Sequence, residues 1–163
     1  MGIGLSQIKH VKLPASDLRH SVSWYRSLFD LELIAEFFED DDVRGVQLLD
    51  RDAGFEIALR QTDYCAGPPR LAGFEVVAFR APDEAVVDAV AARCDRLGVA
   101  HTEIMRIPGY VTGMDIPDPD GTVIRILWHD PRGMSAFLGV EYDAAGRPSP
   151  YRDPRIGAPA RSE

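Results

Sequence analysis

The stretch Lys9-His10-Val11-Lys12-Leu13-Pro14-Ala15-Ser16-Asp17-Leu18 decides how this chain is read. Its frame returns at Glu75-Val76-Val77-Ala78-Phe79-Arg80-Ala81-Pro82-Asp83-Glu84. Each copy is a short strand-like run leading to a residue whose side-chain oxygen suits a helix start, where it accepts from free N–H groups. Asp17 and Asp83 fall at matching places, whereas His10 is matched by Val76. The repeat keeps its hydrophobic frame and changes its polar residues.

Around the first copy, Leu18, Val22, Tyr25 and Leu28 recur at helical spacing and predict a helix to about Asp30. Strands are expected at 7–13, Glu32–Glu39, Val43–Asp50 and Gly54–Arg60. The acidic run Glu39-Asp40-Asp41-Asp42 reads as a solvated hairpin turn and Arg51-Asp52-Ala53-Gly54 as the next turn. A connector marked by Gly67-Pro68-Pro69 leads to the second copy. There a strand at Gly73–Ala81 precedes a helix stripe of Val87, Val90, Ala91, Cys94 and Leu97, stopped by Gly98. Further strands are expected at Ala100–Arg106, Tyr110–Ile116 and Thr122–Trp128, the last entered through the turn Pro117-Asp118-Pro119-Asp120-Gly121. The chain is thus an α+β protein of two tandem βαβββ modules, 7–60 and 72–128, joined by the connector 61–71. A proline- and arginine-rich tail, 129–163, follows. In it Met134–Leu138 is expected to be a short helix, and the rest extended against a neighbour or disordered.

A length of 163 residues bounds this to one domain, or two small modules sharing a core. The net charge of −8 disfavours nucleic acid and anionic membrane as partners. No apolar run approaches the roughly 20 residues of a membrane span, and Met1-Gly2-Ile3-Gly4-Leu5-Ser6 lacks the pattern of a secretory signal. Cys65 and Cys94 form no motif, and Cys94 lies on an apolar stripe, so a reducing cytoplasm is the expected setting.

Two βαβββ modules in tandem resemble the vicinal oxygen chelate superfamily, which includes glyoxalase I, bleomycin-resistance proteins, extradiol dioxygenases and methylmalonyl-CoA epimerase. The resemblance rests on Ile8-Lys9-His10-Val11, on Ser16-Asp17-Leu18 leading to Trp24-Tyr25-Arg26, and on Asp118-Pro119-Asp120-Gly121-Thr122-Val123-Ile124. It implies that each module curls into half of a cup, with metal ligands on the first and last strand of each. Carried over by position, these are His10, Glu56, Val76 and Arg125. Imidazole and carboxylate suit a divalent metal. Valine has no donor atom, and a guanidinium stands where the family usually has glutamate. No metal is therefore favoured; if one binds, His10 and Glu56 are its ligands, with Glu75 a third only where a bulge reverses the phase of its strand.

Side chains two apart on a strand share a face. With His10 facing the cup, the same phase turns Lys12, Glu56, Ala58, Arg60, Val76, Ala78, Arg80, Val123, Arg125 and Leu127 inward. Phe55, Ile57, Leu59, Val77, Phe79, Ile124 and Ile126 then pack under the helices. Such a cup favours an anion over a four-ligand metal. His10, Glu56 and Arg125 are the candidate catalytic residues. Lys12, Arg60, Arg80, Tyr110, Thr112 and Met114 are the candidate substrate contacts, with Phe38, Gln47 and His101 as further lining. Arg125 pairs with Glu56 in the vacated metal site, acts on substrate, or does both. His10 serves as ligand, general base or satisfied polar residue. Three functions compete. The first is binding of a small anionic or aromatic molecule with metal-independent acid–base catalysis of isomerase, lyase or cyclase type. The second is non-catalytic sequestration of a drug-like molecule, and the third a divalent-metal enzyme of glyoxalase or dioxygenase type. The expected assembly is a homodimer.

Overall fold

The computed structural model describes residues 7–132 and 139–151. The first module contains β1 (Val11–Ala15), α1 (Leu18–Phe29), β2 (Glu32–Glu39), β3 (Asp42–Leu49) and β4 (Glu56–Gln61). A 3-10 turn at Thr62–Tyr64 opens the connector. The second module contains β5 (Glu75–Arg80), α2 (Glu84–Leu97), β6 (Met105–Ile107), β7 (Val111–Pro117) and β8 (Val123–His129). Each module forms a four-stranded mixed sheet, ordered β1-β4-β3-β2 and β5-β8-β7-β6. The first and last strands of each module pair in parallel, and the remaining pairs are antiparallel.

Local chemistry sets the helix limits. The Asp17 carboxylate accepts from His20 N–H at the start of α1, and Asp83 accepts from Val86 N–H at the start of α2. Both helices end in the left-handed region, α1 at Asp30 and α2 at Gly98, where glycine has no Cβ to clash.

Each helix covers one face of its sheet, and the two cores are continuous. Leu13, Leu48, Ile57 and Leu59 are buried together with Ile124 of the second module. Leu28 of α1 packs with Val87, Cys94, Ile116 and Ile126. Trp24, Phe29 and Phe79 touch both groups. Burying each such side chain stabilises by about 1.5–3 kcal/mol. A polar clasp adds direction. The Tyr25 hydroxyl donates to Asp118 Oδ2 at 2.8 Å, both groups being buried. Asp118 Oδ1 accepts from the Asp120 and Thr122 amides, and the Asp120 carboxylate accepts from Ser16 N–H of the first module. The Asp118–Gly121 turn therefore closes on itself and onto the other module.

Three expectations change. The first strand begins at Val11 rather than 7. The strand expected at Ala100–Arg106 contracts to Met105–Ile107, because the preceding residues bond elsewhere. Thr102 exchanges bonds with the Asp115 backbone, and His101 bridges the Thr102 carbonyl (2.7 Å) and the Asp95 carboxylate of α2 (3.2 Å). His101 thus belongs to the end of α2 and not to the cup. In the tail, β9 (Gly139–Tyr142) and β10 (Pro148–Tyr151) form an antiparallel hairpin, its turn closed by the Asp143 carboxylate. The helix expected at Met134–Leu138 lies outside the described residues. No helix among the described residues is long and apolar enough to cross a membrane.

With an acceptor at each ring nitrogen, His101 is held above the ordinary histidine value, first by the Thr102 carbonyl and then by Asp95. The stabilisation is complete below the unfolded value of about 6.5 and disappears as pH rises through the folded value. His101→Gln is expected to flatten the fall in stability over that window, read by denaturant unfolding at a series of pH values.

Candidate functional site

The sheet faces away from the helices carry the polar residues. Directly paired residues share a face. Lys12, Ala58 and Gln47 lie side by side across β1, β4 and β3, as do Pro14, Arg60 and Gly45. Across β5, β8 and β7, Ala78, Arg125 and Asp115 form the corresponding row. A cleft of about 220 Å³ between the modules is lined by Lys9, His10, Phe55, Glu56, Ala78 and Arg80, among others. Next to it on the first sheet, a hollow of about 310 Å³ is bordered by Lys12, Phe37, Gly45, Ala58 and Arg60.

Glu56 sits at the centre of a small network. Its side chain is 12% exposed, is ion-paired with Lys9, and accepts from Gln47 Nε2 at 3.1 Å. The same amide nitrogen lies 3.5 Å from His10 Nδ1. The structure thus brings His10 and Glu56 together through Gln47, whose signal in the sequence is one polar residue at an inward position of the apolar run Val46-Gln47-Leu48-Leu49.

Arg125 has other partners than the Glu56 expected for it. It forms a two-pronged pair with Asp115, at 2.6 and 2.8 Å, and an ion pair with Glu75; it does not pair with Glu56. Asp115 is its direct cross-strand neighbour, within easy reach. Glu75 joins because the β5–β8 register shifts at Val76. Such a bulge opposes two residues to one and turns both toward the same side. Val76 and Val77 accordingly both pack against the first core, and Val76 does not follow the inward phase expected of it.

Arg60 is also neutralised, gripping both oxygens of Glu39 at 2.6 and 3.0 Å and donating to the Tyr64 carbonyl. Lys12 and Arg80 are exposed and, among the described residues, engage in no ion pair or hydrogen bond. They are the cup face's uncompensated cations there.

Other expected contacts move. Thr112 and Met114 are buried on the helix side of β7, because Asp115 takes the cup side and alternation sends its even-numbered neighbours the other way. The Thr112 hydroxyl donates to Glu84 of α2, and Met114 packs beneath that helix. Tyr110 precedes β7 and meets the His129 ring edge-on, centroids 5.9 Å apart, at the end of the sheet. Phe37 pairs directly with Gly45 and so is the aromatic residue beside the hollow, in place of the Phe38 expected. Gly45 permits this approach: a Cβ there would lie 3.2 Å from the Leu59 carbonyl and 3.5 Å from the Phe37 ring.

The donor set does not fit a divalent metal. Of the four family positions His10 and Glu56 alone carry suitable donors, Glu56 is already shared between Lys9 and Gln47, and Glu75, which the bulge brings in, is taken up by Arg125. The other two positions hold an apolar side chain and a guanidinium clamped by carboxylates. Among the described residues no three His, Cys, Asp or Glu side chains converge on one point.

The fold recurs in solved structures. One is a glyoxylase/bleomycin resistance protein/dioxygenase domain from Frankia sp., 21% identical over 77% of this chain and 93% of that one, with a TM-score of 0.65. Another is TnmS3, an antibiotic-binding protein from Streptomyces sp., 22% identical over 78% and 99%, with a TM-score of 0.64. A third is the fosfomycin resistance protein FosX from Listeria monocytogenes, 21% identical over 76% and 93%, with a TM-score of 0.61. That protein has also been crystallised with Mn(II). No curated protein matches the chain in sequence. A family model described as Glyoxalase/Bleomycin resistance protein/Dioxygenase superfamily matches residues 7–126, from the start of the first module almost to the end of β8. Paired βαβββ sheets, the doubled strand-to-helix frame and that match agree: the chain belongs to the glyoxalase/bleomycin resistance protein/dioxygenase superfamily.

Proposed function

We propose that this protein binds a small anionic or aromatic molecule in its cup without a divalent metal. The observation that carries this reading is the charge pattern: Arg60 and Arg125 are consumed by carboxylates, whereas Lys12 and Arg80, beside the hollow and the cleft, have no ion-pair partner among the described residues. An oxyanion satisfies such cations, and Phe55 and Phe37 supply apolar wall. The antibiotic-binding and fosfomycin-resistance relatives support a small-molecule ligand. Arg125, clamped on both sides, serves as a positioning residue for Asp115 and Glu75 rather than as a substrate contact. Proton transfer is a second reading, with His10 on the cleft wall as proton donor and Arg80 stabilising negative charge. The proposed assembly is a cytoplasmic homodimer, for which the exposed apolar side chains Ile8, Phe38 and Phe74 offer contact area; light scattering on the purified protein tests its mass.

Calorimetric titration of chelator-treated protein with a panel of aromatic carboxylates and phosphonates tests the binding. Saturable binding, unchanged by added chelator, is expected. A stoichiometric first-row metal that survives gel filtration and is lost in His10→Ala would overturn the metal-free reading. With a ligand in hand, His10→Ala separates the two modes: binding kept with turnover lost marks proton transfer, and binding kept with no turnover in either protein marks sequestration.

A further inference from the structure

We propose that Gln47 is a positioning residue that holds His10 in its Nε2–H tautomer, so that the imidazole meets the cup's ligand as a hydrogen-bond donor. The argument begins at Glu56. An ion-paired carboxylate only accepts. Gln47 lies 3.1 Å from Glu56 Oε2, so its nitrogen, and not its oxygen, must face that atom. The flipped amide would set two oxygens against each other at the same distance. The amide orientation is thus decided by the carboxylate.

The second N–H of that nitrogen is then available to His10 Nδ1, 3.5 Å away. Were Nδ1 protonated, two donors would face each other. The lone pair therefore belongs on Nδ1 and the hydrogen on Nε2. The backbone supports the placement: Gln47 sits directly opposite Ala58 and next to the row of Leu49 and Glu56, on strands paired without a break.

The consequence is chemical. A histidine that removes a proton or binds a metal through Nε2 needs its lone pair there, with Nδ1–H held by an acceptor. Gln47 imposes the reverse. His10 then joins Lys12 and Arg80 as a third group suited to a ligand oxygen. The ligand class rests on the binding proposed above; the tautomer does not, because it is set by residues of the ligand-free protein.

Long-range ¹H–¹⁵N spectra of the ligand-free protein, recorded where the imidazole is neutral, read the tautomer directly. The His10 signals are assigned by their loss in His10→Gln. The wild type is expected to show a protonated Nε2 and an unprotonated Nδ1. The decisive variant is the exchange Gln47→Glu with Glu56→Gln. It preserves composition and charge but turns an acceptor toward Nδ1, and is expected to invert the tautomer to Nδ1–H. Gln47→Met, which removes the donor without adding an acceptor, is expected to give a mixture, with folding confirmed by circular dichroism. An Nδ1–H wild type, or an exchange variant that keeps Nε2–H, would overturn the proposal. Failure of every ligand to bind would defeat the function reading and leave this result standing.

Discussion

Asp118→Ala is expected to lose about 3 kcal/mol of stability, because it leaves several buried donors without their acceptor. In a chain of this size that corresponds to a melting temperature lower by about 10 °C. The Tyr25 hydroxyl, on a fully buried ring, loses its partner at 2.8 Å. The Asp120 and Thr122 amides lose the oxygen that closes the turn before β8. The damage reaches beyond the turn, since Asp120 also holds Ser16 of the first module. Asp118→Asn is expected to cost about 1 kcal/mol, because Oδ1 survives and the tyrosine hydroxyl can rotate to accept from the new amide.

The two variants also differ from wild type in pH dependence. Burial pushes the Asp118 carboxyl above the ordinary aspartate value, despite the hydrogen bonds it accepts. The folded state therefore binds this proton more tightly than the unfolded state. The associated stabilisation is complete below the unfolded value and lost as pH rises through the folded one. Asp118→Asn removes that contribution. Urea unfolding over a series of acidic pH values checks both points; an alanine variant as stable as the wild type would mean that the clasp does not join the modules.

The second large effect concerns affinity. Replacing both Lys12 and Arg80 by Ala is expected to weaken binding of an aromatic carboxylate by at least about 100-fold, each charge-assisted bond being worth about 1.5 kcal/mol or more. Arg125→Gln is expected to leave affinity within about twofold, since that guanidinium is already satisfied by Asp115 and Glu75. Its cost falls on stability, through two carboxylates left facing each other. Titration calorimetry for affinity and thermal unfolding for stability separate the two. The opposite pattern, with Arg125 controlling affinity and the Lys12/Arg80 pair silent, would move the ligand to the Ala78, Arg125 and Asp115 row of the second sheet.

The site was only partly legible beforehand. His10, Glu56, Lys12 and Arg80 lie on the cup side because strict alternation along β1, β4 and the end of β5 places them there. Thr112 and Met114, expected as substrate contacts, lie on the helix side instead: Val111–Pro117 is apolar on both sides except at Thr112 and Asp115, and Asp115 is the one that takes the cup side. Phe37 and Phe38 are adjacent residues of one type, and only the pairing of Phe37 with Gly45 distinguishes them.

The sequence by itself determined the periodicities and their punctuation: two strand-to-helix frames, capped at Ser16 or Asp17 and at Asp83, stopped near Asp30 and at Gly98, and repeated along the chain, with the structure choosing Asp17. These are local properties, set by alternation, helical spacing and single-residue backbone preferences. Only the tertiary structure decided which charges are free. Arg60 meets Glu39 from another strand, Arg125 meets Asp115 across a hairpin and Glu75 across a parallel pair, and Lys12 and Arg80 meet neither. The bulge that brings in Glu75 has no local signature, because Val76 and Val77 read the same whether or not one of them is an extra residue. Ion pairing depends on distances between residues far apart in the chain, and a one-residue shift of register is enough to change which carboxylate faces which cation.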